Sequence, residues 1–183
     1  MSKYFTEAIL RERIINPEYV EKVSARADEN LVRYYRLLRS TGIEGMEDLI
    51  EAIHRSTFST CHSHSHHHYT TGTMEHSLGV YDEMMLHNAS GDFSERDIIL
   101  AALLHDVGKG RSKEFSFESG DHHPTRSAKI VRRYLKNVPA EVLSAIRHHQ
   151  HHSPDNALQN LLCDADHRDA SLCNDAERFL KAL

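Results

Sequence analysis

The chain of 183 residues has few cysteines, and the three present, Cys61, Cys163 and Cys173, form no Cys-x-x-Cys pair. An odd number of scattered thiols argues against a disulfide scaffold and leads us to expect a reducing, cytoplasmic setting. Long apolar runs are missing: none approaches the roughly 18 residues needed to span a bilayer, so no membrane partner is expected. The opening stretch, MSKYFTEAILRERIINPEY, is too charged to read as a secretory signal peptide. Positive charge is also short. A formal net charge of −5 argues against broad electrostatic binding to nucleic acid or anionic membrane. Valine-rich alternating segments and internal repeats are absent too, which leaves no pattern for a sheet or a solenoid. What remains is 39% hydrophobic and 27% charged, enough to bury the core of one globular domain. The excess is in histidine, of which there are sixteen. With so few thiols, any metal would be held by nitrogen and oxygen.

The periodicity is helical almost throughout, so the expected fold class is all-α. A helix over 17–39 opens at Pro17, which suits a first turn, and carries Leu31, Tyr34, Leu37 and Leu38 on its apolar side. A second, over 46–53, follows the turn at Thr41-Gly42, and a third runs from about Thr73 to His87. Ser94-Glu95-Arg96-Asp97 has the form of a cap before the apolar run Ile98–Leu104. Pro124 opens a helix ending near Val138, with Val131, Tyr134 and Leu135 inward. Arg126, Lys129, Arg133 and Lys136 form a face that reads first as solvated. Pro139 begins a helix through His149; 156–169 reads as another, and the final DAERFLKAL as one more. Residues 1–60 are expected to form a helical extension packed on a domain over 61–183, together one compact unit. The run His62–His68 reads as a loop on composition, able to bind metal only adventitiously.

The stretch LLHDVGK raises the chemical question. A segment apolar enough to be buried ends on His105 and Asp106, and a buried carboxylate must be paired or bound to a metal. A helix C-terminus also disfavours a carboxylate, so Asp106 needs a cation nearby. Lys109 could supply it as a plain salt bridge. A metal would need further ligands from other helices, and candidates stand at the right places. His76 lies in the first turn of its helix, His123 just before Pro124, and Asp164 and Asp166 in an otherwise apolar face. Of His148 and His149, the second is nearer the stripe marked by Val142 and Ile146. Lone histidines such as His54 and His87 read as ordinary core or surface residues.

In this order the residues resemble the HD superfamily of metal-dependent phosphohydrolases, named for adjacent histidine and aspartate ligands. EHSLGV looks like the first family motif and AALLHDVGK is close to the second; HHPTRSAKIV is similar to the H-P-x-x-G-A helix start, with Ser127 where glycine is common. The resemblance selects His123 over His122, His149 over His148 and Asp166 over Asp164. It implies an HD-domain-like bundle of helices around a site in which His76, His105, Asp106 and Asp166 hold one divalent ion. Asp106 would bridge to a second ion completed by His123 and His149. Iron, manganese, cobalt, nickel or zinc all suit such ligands. HHHYTTGTMEHSL is further similar to a segment of HD-domain exoribonucleases, which would put His66, His67 and Tyr69 at the mouth of the site; Thr71 stands where a glycine is frequent. HDVGKGR followed by GDHHP also looks like the HD module of uridylyl-removing enzymes.

The expected activity is hydrolysis of a phosphomonoester or phosphodiester, of a small phosphorylated substrate and specifically a nucleotide, by metal-activated water. Asp106 and Lys109 would be catalytic, Lys109 holding a phosphate oxygen as a point charge, with Arg111 and Arg147 assisting. Single-stranded nucleic acid stands behind a small nucleotide as the other partner. Two alternatives differ in kind: an HD-fold di-iron oxygenase, and a non-catalytic module sensing metal or nucleotide. Oligomeric state is not legible.

Overall fold

The computed structural model describes residues 17–59, 72–115 and 120–182. Among the described residues are seven α-helices and no strand: α1 (Pro17–Ser40), α2 (Met46–Arg55), α3 (Gly72–His87), α4 (Glu95–Leu104), α5 (His123–Tyr134), α6 (Ala140–His148) and α7 (Ala157–Ala182). Short 3-10 turns occupy Thr57–Ser59 and Val107–Lys109. The fold is all-α, as the periodicity implied. No helix among the described residues is long and apolar enough to cross a membrane.

α4 is the central element. Its start is set by Ser94, whose hydroxyl accepts the Asp97 amide at 3.1 Å. From Ile98 to Leu104 every side chain is buried, which explains why this helix carries no polar face. α3 and α6 pack on α4, α7 packs across α3 and α6, and α5 lies on α6 and against the 107–109 turn. α1 and α2 share the same core through Tyr34, Leu38, Leu49 and Ile53, all fully buried. The Tyr34 hydroxyl donates to the Leu103 carbonyl, one of the acceptors that the end of α4 leaves without a helical partner.

The connection between α1 and α2 is also fastened to the far side of the bundle. Lys136 N–H donates to Glu44 O at 3.1 Å, and at Gly45 (φ +91°) an added Cβ would lie 1.9 Å from Tyr134 O. This contact corrects one sequence boundary. α5 stops at Tyr134 rather than near Val138, because Leu135 is extended and Asn137 takes a left-handed φ of +55°. A second correction is that 156–169 and the final segment form one continuous helix of 26 residues, with no glycine or proline inside it. A third is that Arg126 is half-buried rather than part of a solvated face. α6 ends at His148, and His149 is its cap. His54 and His87 are exposed, and Cys163 and Cys173 form no disulfide among the described residues. Cys61 and the run His62–His68 lie outside the described residues.

Candidate metal centre

Two helix ends build the centre by the same local device. His105 caps the C-terminus of α4 and His149 that of α6. Each ring turns back on its own helix: Nδ1 of His105 donates to Ala102 O at 2.7 Å, and Nδ1 of His149 to Ile146 O at 2.8 Å. A carbonyl can only accept, so Nδ1 carries a hydrogen and Nε2 is the ring atom turned to the interior. The two rings meet edge to face, with centroids 4.8 Å apart.

Other helices supply the remaining groups. His123, the first residue of α5, places Nε2 3.3 Å from Asp106 Oδ1, and His149 Nε2 is 3.9 Å from the same oxygen. Asp106 Oδ2 lies 3.4 Å from His105 Nε2 and 3.9 Å from His76 Nε2, and it also accepts from the Lys109 ammonium. Asp166, from the middle of α7, reaches His76 Nε2 at 3.0 Å. Side chains from α3, α5 and the ends of α4 and α6 thus gather around one carboxylate that is 1% exposed, and Asp166 joins them from α7 through His76.

Close backbone approach makes this convergence possible. Gly108 N–H donates to Ser127 Oγ at 2.9 Å, and a Cβ on Gly108 would lie 2.4 Å from His123 O. Glycine there lets α5 begin directly against the Asp106 turn.

Burial and charge compete at each group. Burial pushes His123 and His149 down to about 4, so both rings are neutral at neutral pH and able to coordinate. Burial would also lower His76, but the hydrogen bonds to Asp166 and Asp169 outweigh it and raise that ring to about 9. Burial would raise Asp106 and Asp166; instead Asp106 is held well below the usual carboxylate range by the adjacent His105 and Lys109. Asp166 is lowered by its hydrogen bond to His76. The site is ionised and buried together.

Among the described residues, His105 Nε2 and Asp106 Oδ1 are buried and make no hydrogen bond. Such orphans are costly unless something else binds them. Three overlapping donor sets fit a divalent cation, with ligand atoms within 4.8 Å of one another: His76, His105 and Asp106; His105, His149 and Asp166; Asp106, His123 and His149. Imidazole nitrogen and carboxylate oxygen suit a first-row divalent ion.

Residues 73–171 match the HD domain. The chain belongs to the HD domain family. That family indicates the metal-dependent phosphohydrolase superfamily, and its members are mostly metal-dependent hydrolases. Neither the curated proteins nor the solved structures returned a match to this chain.

Within this HD domain the alternatives left by residue pattern separate in space. His122 and His148 are exposed, and Asp164 pairs at the surface with His152 at 2.8 Å, whereas His123, His149 and Asp166 turn to the cluster. Arg111 and Arg147 are exposed, and no contact among the described residues joins their side chains to the cluster. His66, His67 and Tyr69 lie outside the described residues. One residue was missed by sequence reasoning. Asp169 Oδ2 accepts from His76 Nδ1 at 2.6 Å, fixing the ring as an outer carboxylate does for a metal-binding histidine. Its signal was present: Asp166 and Asp169 stand three apart on one helix face, as do His76 and Gly79 on theirs. A Cβ at Gly79 would lie 2.0 Å from Asp169 Oδ1, so glycine leaves room for the carboxylate.

Proposed function

We propose that the protein is a metal-dependent phosphohydrolase that cleaves a phosphomonoester or phosphodiester of a nucleotide, with water as the nucleophile. The observation that carries this reading is the pair of buried, unbonded polar atoms, His105 Nε2 and Asp106 Oδ1, where side chains of five helices meet. His76, His105, Asp106 and Asp166 would hold one divalent cation, and Asp106, His123 and His149 a second. When bound, the cations supply Lewis-acid activation of water and neutralise charge that develops on the phosphoryl group.

The chain's own groups do the rest. The Nδ1 hydrogen bonds of His105 and His149 hold both rings in one tautomer and one orientation, so the donor atoms need no rearrangement. Buried walls exclude bulk water and strengthen each charge interaction. Lys109 is 28% exposed and sits at the edge of the cluster, where its ammonium can exchange Asp106 for a phosphate oxygen. In this reading Asp106 and Lys109 act on the reacting group. Arg111, Arg147, His67 and Tyr69 would contact the remainder of the substrate, a small nucleotide in preference to single-stranded nucleic acid.

The test is turnover of a nucleotide panel by the purified full chain with manganese or cobalt added. We expect hydrolysis that is lost in Asp106→Asn. A blank panel from metal-loaded protein would overturn the reading in favour of a sensing module, and oxygen consumption by a mixed-valent iron pair would overturn it in favour of an oxygenase.

A further inference from the structure

Three arginines among the described residues are half-buried. Arg33 pairs with Asp82, and Arg168 lies 3.3 Å from Glu83. Arg126 meets no carboxylate among the described residues, and its Nε is buried without a hydrogen bond. A buried guanidinium nitrogen left without an acceptor is costly, and the guanidinium is the side chain best shaped to take a phosphate or carboxylate.

Its position says which anion. Arg126 follows His123 by three residues on α5, on the turn that docks against the Asp106 segment. The residues flanking it make that docking: His123 Nε2 is 3.3 Å from Asp106 Oδ1, and Ser127 Oγ accepts the Gly108 amide at 2.9 Å. Lys109, the other cation at this edge, is engaged by Asp106. A phosphate arriving at the cluster would meet in Arg126, beside Lys109, a second cation that no carboxylate among the described residues engages. No side chain caps the first turn of α5, so the positive end of that helix adds to the same field.

We propose that Arg126 is a substrate-binding residue that takes the non-bridging oxygens of a terminal phosphate, directing the site to phosphomonoesters over phosphodiesters. The planar fork suits two phosphate oxygens at once, and a terminal phosphate brings close to two negative charges where a diester brings one. The assignment of substrate class rests on the phosphohydrolase reading; the binding of phosphate does not.

The experiment titrates inorganic phosphate into the metal-loaded full chain by calorimetry. Arg126→Gln should weaken binding by about tenfold or more, the usual loss for a charge-assisted hydrogen bond. Arg126→Lys, which keeps the charge without the fork, should fall between the two. Lys129→Gln, which alters the exposed partner of Asp121 on the same helix, should bind as the native chain does. Circular dichroism confirms that each variant is folded. Absence of phosphate binding by the native chain, or equal binding by Arg126→Gln and Arg126→Lys, would overturn the proposal. In turnover, Arg126→Gln should raise KM for a phosphomonoester far more than for a phosphodiester, and equal rises would overturn the selectivity. Phosphate binding that depends on Arg126 without turnover of any nucleotide defeats the phosphohydrolase reading and leaves Arg126 standing. Turnover with Arg126-independent binding does the reverse.

Discussion

At the residue scale the informative group is His76, because both of its ring nitrogens are committed. Nδ1 donates to Asp169 at 2.6 Å while Nε2 faces Asp166 at 3.0 Å. Removing the outer carboxylate should loosen the ring without emptying the core. Asp169→Asn is expected to lower divalent-metal affinity by about 10- to 100-fold, measured by competition with a chelating dye, with little change in thermal stability. Gly79→Ala should act in the same direction, since its Cβ would fall 2.0 Å from Asp169 Oδ1. The same ring makes metal uptake sensitive to pH. His76 is raised from 6.5 to about 9 despite burial, by Asp166 and Asp169, so in metal-free protein it holds a proton that a cation must displace. Its contribution to metal-free stability is therefore present in full below pH 6.5 and lost as pH rises through about 9. Metal affinity should move oppositely, rising by up to about tenfold per unit over that window, as one proton is released. A flat profile in a calorimetric pH series would contradict this. Helix ends and apolar faces marked His76 and the His105-Asp106 pair as candidates, whereas the choice of His123 over His122, His149 over His148 and Asp166 over Asp164 rests on the resemblance to the HD superfamily. Asp169 was not legible, because spacing says that two carboxylates share a face but not that the second reaches behind an imidazole on another helix.

At the scale of elements, the centre depends on helix ends more than on helix faces. α4 and α6 each finish on a histidine, and α5 starts on one; their placement follows from where each helix begins and stops. The start of α5 is held by Gly108, where a Cβ would meet His123 O at 2.4 Å and Ser127 N at 2.6 Å. Both are backbone atoms that cannot swing away. Gly108→Ala should therefore destabilise the fold by about 1–3 kcal/mol and draw His123 from Asp106, visible as a lower midpoint in urea and weaker metal binding. Helix starts were readable from Ser94 and Pro124, since capping and proline chemistry are local. Some ends were not. The stop after Tyr134 depends on the bond from Lys136 to Glu44, a residue distant in sequence, and the unbroken α7 shows that loss of an apolar stripe need not end a helix.

At the scale of the molecule, α1 and α2 share one core with the helices that carry the histidines. Tyr34 is the clearest link, fully buried and donating to Leu103 O two residues before His105. Tyr34→Phe should leave that carbonyl without this partner and cost about 1–3 kcal/mol, while unfolding remains a single transition by calorimetry. Two separate transitions would show that residues 1–60 fold independently of 61–183. The all-α class was legible from periodicity alone, whereas the packing of the first helices on α4 was not, because an apolar stripe names no partner.

The measurement that bears most directly on the central claim is the metal content of the purified full chain beside Asp106→Asn and His123→Ala, by elemental mass spectrometry. The account expects about two first-row divalent ions per native chain, about one in His123→Ala, and almost none in Asp106→Asn, where the shared carboxylate is gone. Equal metal content in all three proteins, or none in any after loading with manganese, iron, cobalt, nickel and zinc in turn, would contradict it.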